Sequence, residues 1–417
     1  MTQSNRGARL SLANGAILAA GNWADAILRL LTTVILTRQL GVASYGVWAY
    51  AMAVSGFMLG VASFGLDRLV PLSLGARRSA AGEIAADTLA VRAITASLCF
   101  IGLLLFALAF EQAGETRVAL LIISLHFMGR AFYSWARPVF VGLERVGIVI
   151  GLTLVMRCLE LLVLAMILML GASVLLVLAA SAAFACIEAA LVVLAALKRL
   201  PRLRFPMFAG IKAVVMGGAV LGLADMLTQG LMTGPLILLR SSGASMADIG
   251  QVGLVFQVST LAVMTIRPFV MAALPALSRA QGRQVQPRVH FGRLVALGVV
   301  ALLSVGAVLA WLIGPFLIPL VFGADFGLAG RLLAPGLLIA MTILIPLGYE
   351  NLLIVRERRL AVVLAGALGA VILLASSASS LEQWPITGIM LAAVLAWGVR
   401  ASALIFSAAG PVSPFRA

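Results

Sequence analysis

"GNWADAILRLLTT", residues 21–33, reads as the middle of a long apolar helix, yet it carries Asp25 and Arg29 one helical turn apart. What two charges do in such a helix depends on the surroundings the rest of the chain provides. The 417 residues are 63% hydrophobic and 11% charged, with a mean hydropathy of +1.13. Soluble domains are about 45–50% apolar and about 25% charged. A soluble core cannot absorb this surplus, so the chain is an integral membrane protein. Backbone groups in lipid must be satisfied internally, which leaves a helix bundle or a closed barrel. The apolar runs are long, rich in Leu, Ala and Val, and do not alternate, so the expected fold class is an all-α integral membrane protein.

A crossing takes about 20 residues. Twelve candidate spans follow, at roughly 11–37, 45–66, 88–110, 118–140, 147–170, 173–196, 213–239, 249–272, 293–313, 328–349, 360–380 and 388–410. A signal-peptide reading of the N-terminus competes with the first span, but the repeat described below needs that span. With the N-terminus inside, the inner segments hold 19 of the 30 Lys and Arg, the outer loops hold 3 (Arg38, Arg117 and Arg240), and 8 lie within spans. That bias predicts both termini on the cytoplasmic side and an even number of crossings. It also accounts for most of the net charge of +15 without a nucleic-acid partner. Cys99, Cys158 and Cys186 lie in apolar runs without ligand spacing, and the two histidines stand far apart, so no metal site is expected.

The chain echoes itself. "LGLADMLTQGL" around Asp225 matches "GNWADAILRLL" around Asp25; Arg240 matches Arg38, Gly250 matches Gly46, and Pro275 matches Pro71, at offsets of 200, 202, 204 and 204. Four matches in register imply two pseudo-symmetric six-helix lobes, 1–200 and 201–417, joined by the basic stretch 197–212.

Eight arginines fall within spans: Arg29, Arg92, Arg130, Arg137, Arg157, Arg267, Arg331 and Arg400. Four acids accompany them: Asp25, Glu160, Glu188 and Asp225. An arginine at a helix centre costs about 2.5–3.5 kcal/mol even on lenient scales, so these side chains must face one another, the bundle interior or water. Spacings of three, four and seven put Asn22, Asp25, Arg29 and Thr32 on one stripe, His126, Arg130, Tyr133 and Arg137 on a second, and Thr153, Arg157 and Glu160 on a third. Asp225, Gln229 and Thr233 form a fourth stripe, and Gln257, Thr260 and Arg267 a fifth. Arg92 and Arg331 sit near span ends and are expected to snorkel to the interface. Arg137 and Arg267 lie near the cytoplasmic mouth. Arg130 and Arg400 have no acid at helical spacing and are the foremost candidates for facing a substrate. His126 reads as a packing histidine before a proton relay. The surplus of arginine over acid favours an anionic cargo, and the guanidinium fork suits phosphate.

At this point the residues carry a resemblance. "ILTRQLGVASYGVWAYAMAVSGFMLGVASFGLDRLVPLSLG", residues 35–75, resembles the first two helices of bacterial polysaccharide flippases of the Wzx type in the MOP superfamily. The carrying residues are Arg38, Leu40 and Gly41, then Tyr45 and Gly46, then Phe64, Gly65 and Leu66. "IPLVFGADFGLAGRLLAPGLLIAM", residues 318–341, and "WPITGIMLAAVLAWGVRASALI", residues 384–405, resemble later family phrases. The resemblance implies flipping of an undecaprenyl-diphosphate-linked oligosaccharide by alternating access, not enzymatic turnover. It implies no cofactor beyond a coupling H⁺ or Na⁺ gradient. The expected partners are the lipid-linked oligosaccharide, membrane lipids and the polymerase and export machinery of a surface polysaccharide. Arg29, Arg130, Arg137, Arg157, Arg267 and Arg400 are the expected substrate-binding residues, and Asp25, Asp225, Glu160 and Glu188 the expected ion-coupling acids. The rival readings are a cation or multidrug exporter of the same superfamily and a membrane glycan polymerase or ligase. The first calls for an acidic cavity and the second for a large external loop.

Overall fold

The computed structural model describes residues 3–201, 204–281, 289–356, 358–381 and 384–409. Among these residues the chain is helical throughout, with no strand. The major helices are α1 (Gln3–Ser63), α2 (Leu66–Ala76), α3 (Ala81–Phe110), α4 (Glu115–Gly142), α5 (Val146–Met169), α6 (Val174–Leu197) and α7 (Phe208–Ser241). They continue with α8 (Met246–Gln281), α9 (Val289–Phe322), α10 (Gly327–Leu344), α11 (Leu347–Val355), α12 (Arg359–Ser380) and α13 (Pro385–Ala409).

Eleven helical stretches among the described residues are long and apolar enough to cross a membrane. The first of them runs 62 residues, Gly15–Ala76, which would be about 90 Å if straight, three times the hydrocarbon thickness. It is not straight. Gly41 interrupts α1 at φ 74° and ψ 172°, a region open only to glycine. A Cβ there would touch nothing, so the requirement is conformational, not steric. The break divides α1 into a first arm (residues 3–40) and a second arm (residues 42–63), which makes twelve crossings. A further break at Phe64 (φ 47°) and Gly65 (φ 71°) ends the second arm and starts α2. The carbonyl of Ala62, just ahead of this break, accepts hydrogen bonds from Arg92 Nη1 at 2.8 Å and Thr95 Oγ1 at 3.0 Å.

The contacts group the chain into two compact units: residues 1–253 with 321–325, and residues 254–320 with 326–417. In the first unit, Trp135, Tyr133, Val139 and Phe140 of α4 pack among Leu66, Val70 and Leu74 of α2 and Val146, Val149 and Ile150 of α5. The buried indole of Trp135 donates to Thr88 Oγ1 at 3.1 Å, which satisfies its polar end. Two glycines let helices meet backbone to backbone. A Cβ on Gly46 would run into the carbonyl oxygen of Met246, and one on Gly250 into that of Val42. These are the positions the repeat aligns, and they touch reciprocally. The segment 321–325 is held to the same unit by Arg38 Nε, which donates to Val321 O at 2.8 Å, and by Gln251 Nε2, which donates to Asp325 O at 2.6 Å.

In the second unit α13 packs along α12, with α10 and α11 also against it. Val263, Leu303, Ala340 and Leu344 form a small core there. In both units leucines and aromatics such as Leu105, Phe110, Leu162, Leu302, Phe316 and Leu364 point outward, as lipid-facing side chains do.

Candidate functional site

Four helices of the first unit bring the intramembrane charges together. The first arm of α1 supplies Asn22, Asp25 and Arg29; α4 supplies Arg130, Tyr133 and Arg137; α5 supplies Thr153, Arg157 and Glu160; α6 supplies Glu188. Arg29 Nε donates to Asp25 Oδ2 at 2.9 Å. Arg157 lies between three carboxylates: it is bonded to Glu160, its Nε is 3.6 Å from Asp25 Oδ1, and its Nη2 is 3.6 Å from Glu188 Oε2. Arg130 Nη1 donates to the same Glu188 oxygen at 3.0 Å. The Arg130 guanidinium also stacks 4.4 Å from the centre of the Tyr133 ring, whose hydroxyl meets Thr153 Oγ1 at 2.9 Å. Arg137 Nη2 donates to Asn22 Oδ1 at 2.9 Å. A small polar cleft lies among Asn22, Asp25, Arg29, Arg130, Tyr133, Arg137 and Thr153.

The first three stripes therefore converge, and the short range of the pairs answers why Asp25 and Arg29 sit in an apolar helix. Each is one member of a network that neutralises most of its own charge. Four guanidiniums stand against three carboxylates, a formal excess of one positive charge. Arg29 is the most accessible of the three ion-paired arginines of this network, with its side chain 35% exposed. The carboxylates hold the guanidinium groups of Arg29, Arg130 and Arg157 in fixed orientations.

Several expectations need correction. Arg130 and Arg400 have no acid at helical spacing on their own helices, but each has one from a neighbouring helix. Arg130 has Glu188, and Arg400, 2% exposed in the second unit, donates to Glu350 Oε2 at 2.8 Å beneath Trp397. Arg92 does not snorkel. Its side chain is fully buried and reaches the Ala62 carbonyl and Asp67 Oδ1, the latter at 3.1 Å. The excess of eight intramembrane arginines over four acids is correspondingly smaller, because Asp67 and Glu350 act as partners that a count by spans leaves out. Arg331 is exposed, as a snorkelling side chain would be, and Arg267 is exposed too. Asp225 joins a different group: Arg68 Nη2 lies 3.2 Å from its Oδ1, and Ser63 Oγ donates to its Oδ2 at 3.4 Å. Among the described residues no cluster of His, Cys, Asp and Glu could hold a metal ion.

One group was missed altogether. Glu111, beyond the last turn of α3, receives the Tyr50 hydroxyl at 2.9 Å and both Arg240 Nε (3.2 Å) and Nη2 (2.8 Å), while its carbonyl oxygen accepts from Arg117. Burial alone would raise the pKa of this carboxyl. The hydrogen bonds from Arg240 and Tyr50 and the charges of Arg240 and Arg117 outweigh burial and hold it below the ordinary glutamate value. An acid counted as a loop residue gives no signal in a search of the spans.

Known proteins of the same fold are distant in sequence. A multidrug resistance MATE family transporter of the MOP superfamily, solved in an inward-facing conformation, is 14% identical with a TM-score of 0.69, covering 92% of this chain and 93% of that one. The lipid II flippase MurJ in an inward closed conformation is 12% identical with a TM-score of 0.66, covering 94% and 87%. The MATE multidrug transporter DinF-BH, in complex with R6G, is 17% identical with a TM-score of 0.62, covering 96% and 94%. The shared fold is the two-lobe, twelve-helix architecture. No curated protein matches the sequence. The family described as polysaccharide biosynthesis protein matches residues 11–281, well over half of the chain. This chain is a multi-pass membrane protein with the MOP transporter fold and belongs to the polysaccharide biosynthesis protein family.

Proposed function

We propose that the protein flips an undecaprenyl-diphosphate-linked oligosaccharide across the bacterial inner membrane by alternating access between lobes 1–200 and 201–417, with both termini cytoplasmic. The observation that carries this reading is the arginine network of α1, α4, α5 and α6 in a member of a polysaccharide biosynthesis family. The diphosphate is the one part of such a cargo that every sugar composition shares. Its charge suits guanidinium forks inside a low-dielectric bundle, where ion pairs are strong. The prenyl tail stays in lipid along the outward-facing leucines, and the glycan occupies the aqueous side of the pocket.

Arg29, Arg130, Arg137 and Arg157 take the diphosphate in this scheme. Asp25, Glu160 and Glu188 hold those arginines when no cargo is bound and give them up to it. An acid displaced from its arginine picks up a proton or Na⁺, which couples flipping to an ion gradient without any other cofactor. Arg400 and Arg267 remain proposed contacts of the second lobe, and Asp225 a proposed coupling acid. The substrate, polymerase and export machinery are the proposed partners.

The test replaces Arg130 and Arg400 one at a time by Ala and by Lys in the native host, with protein level and membrane insertion checked. Surface polysaccharide and accumulated lipid-linked precursor are then assayed. Loss of surface glycan, with precursor retained on the cytoplasmic face and normal protein, supports the reading. Normal surface glycan in all four variants refutes the role of the arginines. Extrusion of a cationic dye that survives Arg130→Glu would instead favour the multidrug-exporter reading.

A further inference from the structure

The carboxylate of Glu111 ties together three pieces of chain far apart in sequence. Tyr50 comes from the second arm of α1, Glu111 from the end of α3, and Arg240 from the last turn of α7. Arg240 binds it as a two-pronged fork, Nε to one oxygen and Nη2 to the other, which fixes orientation as well as distance. Glu111 is 6% exposed and the Arg240 side chain 31%, so the bond is partly shielded from water and salt.

The same end of the unit shows a second, related contact. Arg38 ends the first crossing as Arg240 ends α7, and the two are aligned by the repeat. Arg38 Nε donates to the carbonyl of Val321, near the end of α9, while Arg240 reaches Glu111, just past the end of α3. Each arginine belongs to one sequence half and holds the end of the third crossing of the other. Between them, Gly46 and Gly250 meet with their backbones in contact, and a Cβ on Gly253 would come within 2.7 Å of Ala49 Cβ. All of these contacts lie at the ends of the helices opposite the basic loops. Two halves that must separate at this end to let a cargo leave would have to break the fork.

We infer that Glu111, Tyr50 and Arg240 form a latch that holds the two sequence halves together at the end opposite the basic loops, and that the latch opens when cargo is released there. The inference rests on the reading of the chain as a transporter, though not on its cargo. The latch residues touch no part of the arginine network, so they set when the path opens and not what it binds.

A cysteine reporter tests this. Ala49→Cys, at the closed seam, is placed in a chain carrying Cys99→Ala, Cys158→Ala and Cys186→Ala. Reaction with a membrane-impermeant maleimide is timed in intact cells and in inverted vesicles, without added substrate. Glu111→Gln and Arg240→Gln should each raise the labelling rate from one side by about tenfold, the shift expected when a charge-assisted pair is lost. The exchanged pair, Glu111→Arg with Arg240→Glu, should return the rate to within about twofold of the parent. Equal labelling in the parent and in both single variants overturns the latch. If the charge variants do not reach the membrane, Tyr50→Phe decides: it keeps the ring and removes one hydrogen bond, so faster labelling supports the latch and an unchanged rate overturns it. A latch that responds in a protein that flips no lipid-linked glycan would leave this inference standing and remove the proposed function; the reverse result would do the opposite.

Discussion

Replacing Glu188 by Gln tests the economy of the arginine network, because one carboxylate serves two cations. Its side chain is 3% exposed, 3.0 Å from Arg130 and 3.6 Å from Arg157. Arg157 keeps Glu160 and Asp25 after the change, but Arg130 loses the carboxylate it is bonded to. Removing one partner of a buried pair costs about 3–5 kcal/mol, and Gln retains an acceptor, so the lower end of about 3 kcal/mol applies. In detergent, the midpoint of thermal unfolding should fall by at least about 3 °C. The excess charge of the pocket rises at the same time from one to two. Inorganic pyrophosphate, which stabilises whatever folded state it binds, should raise the midpoint of the variant more than that of the parent. The double variant Arg130→Gln with Glu188→Gln should be less destabilised than the sum of the single changes, with a coupling of about 0.5–3 kcal/mol. An unchanged midpoint in Glu188→Gln, together with an unchanged response to pyrophosphate, would refute both the pairing and its place in anion binding.

Other changes have expected outcomes of their own. Gly41→Ala forces a β-carbon into a backbone geometry reserved for glycine, at about 1–3 kcal/mol, and should lower the thermal midpoint although the new methyl touches nothing; an unchanged midpoint would show that the bend is not held as described. Arg92→Met removes a fully buried cation, takes from Asp67 its bonded arginine and leaves the Ala62 carbonyl with only the Thr95 hydroxyl of its two donors, so protein level in the membrane should drop; normal accumulation and stability would count against the burial. The Glu111 contribution has a definite pH sign. Its folded pKa is depressed, so the stabilisation is complete above the unfolded value of about 4.3 and is lost as pH falls through the lower folded value. The ratio of Ala49→Cys labelling in the parent to that in the Glu111→Gln variant at the same pH, in which the falling thiolate fraction cancels, should therefore be flat from neutral pH down to about pH 5 and rise only in stronger acid; a rise near pH 6 would contradict it. Asp225→Asn removes the carboxylate 3.2 Å from Arg68 Nη2 and, if Asp225 couples transport to an ion, should make flipping independent of the H⁺ and Na⁺ gradients; unchanged dependence on both would remove it from the coupling scheme.

The crossings were legible because hydropathy over about 20 residues is a strong local signal. The polar stripes were legible too, but not which of them meet: periodicity places charges on one face of a helix and does not say which faces come together. The partners were not. Spacing along one helix shows Asp25 beside Arg29 and Glu160 beside Arg157, but Glu188 reaches Arg130 from α6 and Glu350 reaches Arg400 from α11, across distances in sequence that periodicity does not span. Arg92 was misread for a related reason. Its burial depends on the Ala62 carbonyl ahead of the break at Phe64–Gly65, and Phe64 at positive φ is not a residue type that announces a break. Gly41 was read as the end of a crossing, and its backbone geometry supplies the reason.

The seam between Ala49 and Gly253 places a limit on how alike the two halves can be. With a β-carbon on both sides the methyls would lie 2.7 Å apart, closer than carbon atoms tolerate, so the helices would have to part. Two identical subunits meeting on a two-fold axis would need glycine at both positions, with the helix-weakening freedom that glycine brings on each side. A single polypeptide carrying both halves escapes that demand: it holds alanine on one side, glycine on the other, and pays the conformational cost once.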